Sequence, residues 1–113
     1  MDQKKSWSAL HRFARISPSK VRPLTSLIRG RGCNEAMEQL RFSPRRGAAF
    51  LKAVLKSAMA NADEQEADMP RLVVQEVRID GGPYYRRWHP KDRGRAHPIA
   101  KRTSHITVKL AEA

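Results

Sequence analysis

The apolar positions along this chain change their spacing several times, and each change marks a predicted element. Trp7, Ala9, His11 and Phe13 alternate with Ser8, Leu10, Arg12 and Ala14, a period of two that predicts a strand over Ser6 to Arg15. Ser17-Pro18 then supplies a helix start, with the hydroxyl as N-cap and proline in the first position, and Val21, Leu24, Leu27 and Ile28 follow at helical spacing until Gly30. Pro23 lies inside that span, where it removes one backbone bond and crowds the preceding turn, so a kink or a tight first turn is expected. Asn34 predicts the cap of a short helix through Leu40 that buries Ala36, Met37 and Leu40. Ser43-Pro44 repeats the start signature before the longest helix, which should run to about Asp63. Its stripe of Leu51, Val54, Leu55, Ala58 and Ala62 predicts the centre of the core, with Arg45, Lys52 and Lys56 on the rest of its surface.

Two strands follow. Leu72 and Val74 share one phase of alternation while Val77 and Ile79 share the other, which predicts a bulge near Gln75 to Glu76. Ile106, Val108 and Leu110 alternate cleanly with Thr107 and Lys109, and the two segments are expected to pair. Between them Tyr84 to Arg102 reads YYRRWHPKDRGRAHPIAKR, in which Arg86, Arg87, Lys91, Arg93, Arg95, Lys101 and Arg102 face one acid, Asp92. No continuous apolar row runs along either face, so burial against the chain's own core cannot order this stretch. A turn near Lys91 to Gly94 would give each arm beyond Asp80 roughly 40 Å of length at ~3.3 Å per residue. A body built from the remaining residues would be only about 30 Å across, so the hairpin is expected to project.

Composition fits one domain spanning residues 1–113, with an extended basic β-hairpin at 80–102 inside it. The 23 lysines and arginines against 11 acids give a net charge of +12. The pI is near 10.9 and the mean hydropathy is −0.67. Such a balance points to a polyanionic partner. The charge is uneven: residues 1–60 hold 13 basic and 3 acidic residues, 61–80 hold 2 and 6, and 81–113 hold 8 and 2. The acidic group Asp63, Glu64, Glu66 and Asp68 should therefore face away from that partner. Cys33 is the single cysteine, which rules out an intrachain disulfide and fits a reducing cytoplasmic compartment. No signal peptide and no membrane span are expected, because no window approaches about 20 apolar residues.

Chemical signatures are few, and neither a catalytic centre nor a metal or cofactor site is expected. His11, His89, His97 and His105 lack the spacing of helical zinc pairs and have no nucleophile signature beside them. Residues 63–74 fail as a calcium loop, because Asp68 stands where glycine is required and Val74 where glutamate is required. Gly30-Arg31-Gly32 lacks the third glycine of a dinucleotide loop, Glu35 standing in its place. What remains is a cationic ribbon with Tyr84, Tyr85 and Trp88, suited to insertion into folded nucleic acid, where guanidinium groups meet phosphates and aromatics pack on bases. Three other readings stay open at this level: a basic loop without fixed structure, a DNA-bending arm with Pro90 as wedge, and a magnesium-dependent nuclease built on the 63–68 acids.

The segments SPSKVRPLTSLIRG, SAMANA and GGPYYRRWHPKDRGRAHPIAKRTSHITV resemble the bacterial large-subunit ribosomal protein family numbered twenty-two, over about Ala14 to Leu110. Gly82-Pro83, Arg87, Pro90, Arg93 to Ala96 and Lys101 to Val108 carry the resemblance most specifically. It implies an α+β fold, a three-stranded antiparallel sheet packed on three helices with a long protruding β-hairpin. It also implies a cytoplasmic protein of the ribosome that binds large-subunit rRNA, supports subunit assembly and lines the nascent polypeptide exit tunnel. Neighbouring ribosomal proteins at the tunnel constriction and exit, and the nascent chain passing the tip, are the further partners implied. Arg15, Lys20, Arg22, Lys101, Arg102, Thr103, Ser104 and His105 match positions expected at rRNA, joined by Arg86, Arg87, Lys91, Arg93 and Arg95 of the hairpin. Trp88, His89, Pro90, Asp92, Arg93, Gly94 and Arg95 would form the tunnel tip. There Trp88 and His89 replace aliphatic residues of familiar members and Asp92 adds an acid, while Pro23 replaces a helix former.

Overall fold

The computed structural model describes residues 6–91 and 95–112, with side chains described outside 85–100. Strand β1 (Ser6–Ala14) leads into α1 (Pro18–Thr25), α2 (Cys33–Arg41) and α3 (Arg46–Glu64). A single 3₁₀ turn at Met69–Arg71 precedes β2 (Leu72–Gly81), β3 (Tyr85–Lys91), β4 (Arg95–Lys101) and β5 (Ser104–Glu112). The strands form two separate antiparallel sheets, one of three strands in the order β1-β5-β2 and one of two, β3-β4. The fold is thus α+β, three helices on a three-stranded sheet from which a hairpin leaves. Its extents of 65 × 29 × 21 Å and radius of gyration of 17.3 Å exceed the ~13 Å expected of a compact chain this long. The ribbon β3-β4 accounts for the difference.

Alternation decides which face of the main sheet is covered. Ile106, Val108 and Leu110 of β5 are fully buried, as are Leu72 and Val74 of β2, and α1, α2 and α3 pack over that face. The opposite face carries Ser8, Leu10 and Arg12, with Glu76, Arg78 and Asp80, all exposed. The ladder between β2 and β5 shifts register between Val74 and Glu76, the bulge that lets Val77 and Ile79 return to the core side. Helix α3 is the centre of the core: Leu51, Val54, Leu55, Ala58 and Ala62 are all buried, together with Ala48. Gly47 in its first turn permits close approach to α1, since a Cβ there would lie 3.0 Å from Leu24 Cδ1 and 3.2 Å from the Lys20 carbonyl oxygen.

The outer edge of β2 is closed by side chains and loop rather than left open for another strand. Arg29 donates to the Val77 carbonyl at 2.9 Å and Arg22 to the Ile79 carbonyl at 3.2 Å. Gly30 and Arg31 exchange backbone hydrogen bonds with Val74, each 2.8 Å long. Four of its outward groups, the Val74 N–H and the carbonyls of Val74, Val77 and Ile79, are thereby satisfied.

Several boundaries differ from the pattern-based expectation, each for a local reason. Phe13 continues the alternation of β1 in sequence but is half exposed, because the ladder to β5 shifts between His11 and Ala14 and buries Ala14 instead. Phe13 takes a left-handed backbone (φ 58°) at this bulge, and its N–H donates to His105 Nδ1 at 3.1 Å. Helix α1 ends at Thr25, short of Gly30: Leu27, Ile28 and Arg29 donate to Leu24 and Thr25 in turns, two residues beyond the proline that removes a donor. Helix α2 is preceded by Gly32 as its N-cap, which places Asn34 inside it, and α3 starts at Arg46 after an Arg45 cap. Ser17 makes no side-chain cap either, its hydroxyl lying 3.2 Å from that of Ser19.

The junction between the two sheets is irregular. Gly81 pairs with Ser104 in one ladder and Tyr85 with Lys101 in the next, so three residues separate the ladders on one side and two on the other. Gly82 fills this gap because a Cβ there would stand 2.5 Å from Thr103 Oγ1 and 3.1 Å from His105 Nε2. Its N–H donates to the Thr103 carbonyl at 3.0 Å, and the Thr103 hydroxyl donates to the Pro83 carbonyl.

Candidate nucleic-acid interface

At this junction an open cleft of about 800 Å³ lies between the start of α1, the start of α3 and the foot of the ribbon. Arg15, Lys20, Arg22, Arg46, Lys101 and Arg102 line it, and among the described residues no aspartate or glutamate does. Two groups of residues far apart in sequence, 15–22 and 101–103, therefore share one site. Ser104 joins them: its buried hydroxyl donates to the Ile16 carbonyl at 2.6 Å, holding the start of β5 against the β1–α1 turn.

Backbone dipoles add to the same field. The first turns of α1 and α3 contain no acid and receive no side-chain cap, and both helix starts contribute to the cleft wall. Helix N-termini carry partial positive charge and orphan N–H groups that favour an anion. Arg46 opposes that dipole in its own helix. Packing holds it there: its guanidinium donates to the Arg15 carbonyl at 2.8 Å and lies 5.5 Å from the Phe50 ring centroid. Arg46 was not among the expected site residues; two adjacent arginines at a helix start, against the dipole, are the signal that could have found it.

The expected residues fall into three groups. Arg15, Lys20, Arg22, Lys101 and Arg102 are exposed and line the cleft. Thr103 and Ser104 are buried, and their hydroxyls bond carbonyl groups of the chain itself, so they shape the site from behind. His105 is half buried beside Phe13, whose ring meets it edge-on at 5.0 Å. Arg86, Arg87, Trp88, His89, Pro90 and Lys91 lie on β3, where Trp88 is opposite Pro98, His89 opposite His97, and Lys91 opposite Arg95. Asp92, Arg93 and Gly94, and with them the expected turn, lie outside the described residues.

The acids sit elsewhere. Asp63 and Glu64 end α3, about 27 Å from Arg46 at 1.5 Å per residue, and Glu66 and Asp68 follow in the next turn and loop. Among the described residues, no three histidine, cysteine, aspartate or glutamate side chains gather as metal ligands. No helix among them is long and apolar enough to cross a membrane. Cys33 is buried, and burial pushes its thiol up to about 11, away from the thiolate a nucleophile needs.

An α+β body that gathers cationic side chains where a charged ribbon leaves it is a structural module suited to a polyanionic partner. The sequence profile described as ribosomal protein L22p/L17e matches residues 9–111. A large ribosomal subunit protein uL22 of Desulfosudis oleivorans is 48% identical over 105 residues, covering 93% of this chain and 92% of the relative. The protein of that name from Geobacter sulfurreducens is 46% identical over 106 residues, covering 93% and 96%. The chain belongs to the ribosomal protein L22p/L17e family. It is accordingly a structural constituent of the ribosome and not an enzyme.

Proposed function

We propose that the chain binds large-subunit rRNA through the cleft and the ribbon together, and that the ribbon tip lines the nascent polypeptide exit tunnel of the cytoplasmic ribosome. The observation that carries this reading is the meeting of six cationic side chains and two acid-free helix starts at the foot of the ribbon. Like charges gathered at one place repel one another, and phosphate groups offset that repulsion on binding. Arg15, Lys20, Arg22, Arg46, Lys101 and Arg102 would take backbone phosphates, with Thr103, Ser104 and His105 setting the shape of the surface. Arg86, Arg87, Lys91, Arg93 and Arg95 would extend the contact along the ribbon as RNA closes around it, so that the protein supports subunit assembly. Trp88 to Arg95 would then meet the tunnel, the nascent chain and neighbouring ribosomal proteins at the constriction, while the body meets others at the exit.

Filter binding of the full-length chain to protein-free large-subunit rRNA, across a salt series, tests this. Binding should weaken steeply with salt, and Arg102→Gln should flatten the logarithmic salt slope by roughly one. Deleting Trp88 to Arg95 should remove tunnel-wall crosslinks while much of the body's binding persists. Salt-independent binding, or equal loss of all binding on that deletion, would contradict the proposal.

A further inference from the structure

The loop between α2 and α3 carries an aromatic that the cleft does not use. Phe42 is 76% exposed, more than any other large apolar residue described. It is held in place all the same, as the C-cap of α2, with its N–H directed at the Glu38 and Leu40 carbonyls. The Arg41 guanidinium lies 5.8 Å from the ring centroid. From Arg41 to Arg46 the chain reads RFSPRR, three cations without an acid, and the last of them already lines the cleft. The loop therefore leads from the exposed ring to the phosphate-facing surface.

A single exposed ring is ordinary by itself; what sets Phe42 apart is an anchored backbone with Arg41 over the ring and two further cations close behind it in the chain. Glu38 lies 3.8 Å from the Arg41 guanidinium, and a protein socket would cover the ring while adding nothing for the cations Arg45 and Arg46 that follow it. An unpaired nucleobase satisfies both features, because its flat face stacks on the ring while its phosphates meet the guanidinium groups. Extended double helix does not fit, since its bases are already stacked.

We propose that Phe42 is a stacking platform for an unpaired nucleobase of the rRNA, with Arg41 and Arg45 on the flanking phosphates. This rests on the rRNA-binding reading above and adds a contact outside the cleft. Filter binding of full-length variants to protein-free large-subunit rRNA, over several salt concentrations, separates the possibilities. Phe42→Ala should weaken binding at least about five-fold with an unchanged salt slope, Phe42→Leu should lose as much, and Phe42→Tyr should bind as the parent does. Arg41→Gln should instead lower the slope by roughly one. Unchanged binding by Phe42→Ala would overturn the platform while leaving the cleft intact, as would full binding by Phe42→Leu, which would mean apolar packing instead of stacking. Loss of Phe42→Ala from assembled subunits without loss on naked rRNA would assign the ring to a protein neighbour and equally overturn it. Failure of the parent chain to bind rRNA would overturn both readings.

Discussion

The hydroxyl of Ser104 donates to the carbonyl oxygen of Ile16 across 88 residues of sequence, and both residues are buried. That bond draws the foot of the ribbon against the start of α1 and so creates the wall on which Arg15 and Lys20 meet Lys101 and Arg102. Ser104→Ala leaves the Ile16 carbonyl without its partner in a site closed to water. The expected loss is about 1–3 kcal/mol of stability, read as a lower urea midpoint at unchanged slope. A variant as stable as the parent would show that the hydroxyl contributes nothing to holding the cleft.

Gly82 and Thr103 make a coupled pair. Gly82→Ala places a methyl 2.5 Å from Thr103 Oγ1 and should cost about 1–3 kcal/mol by overpacking. Thr103→Ala removes the obstructing oxygen along with its bond to Pro83. The double variant should thus be less destabilised than the two single losses added together, by at least about 0.5 kcal/mol. Strict additivity in urea unfolding would mean that the chain relieves the clash by moving Gly82 away.

Cys33 gives a pH signature. Burial raises its thiol from 9.0 to about 11, so the neutral form is favoured in the folded protein. The contribution is complete below pH 9 and is lost as pH rises toward 11, because only the unfolded chain ionises easily in that interval. Stability should decline there, and Cys33→Ala should decline less steeply over the same range. At pH 8 the native thiol should also resist iodoacetamide until denaturant is added; rapid native labelling would contradict the burial.

Much of this architecture was legible from residue spacing, and the exceptions share a cause. The stripe from Leu51 to Ala62 and the alternation from Ile106 to Leu110 each keep one period across a whole element, so their buried faces follow directly. The bulge in β2 also announced itself, as a change of phase between Val74 and Val77. The bulge in β1 did not, because Phe13 stays in phase with Trp7 while the backbone beneath it turns over. Ser17 does stand at the N-cap of α1, though its hydroxyl meets Ser19 instead of the helix backbone, whereas Gly32 and Arg45 take the cap positions expected of Asn34 and Ser43. In the cleft, the family resemblance pointed to five of the six cations. Arg46 is held there by Phe50 and the Arg15 carbonyl, which no spacing rule reports. Polarity likewise could not reveal that Thr103 and Ser104 point inward.

The unequal junction of three residues against two has a geometric consequence for the ribbon. Neither ladder dictates the direction in which β3 and β4 leave; that aim is set by Gly82, Pro83 and Tyr84 on one side and Arg102 and Thr103 on the other. Each arm is about 23 Å long at ~3.3 Å per residue, so a 10° swing at its root displaces the far end by roughly 4 Å. The hairpin acts as a pointer pivoting on five residues, and a small error at the pivot is magnified along its length.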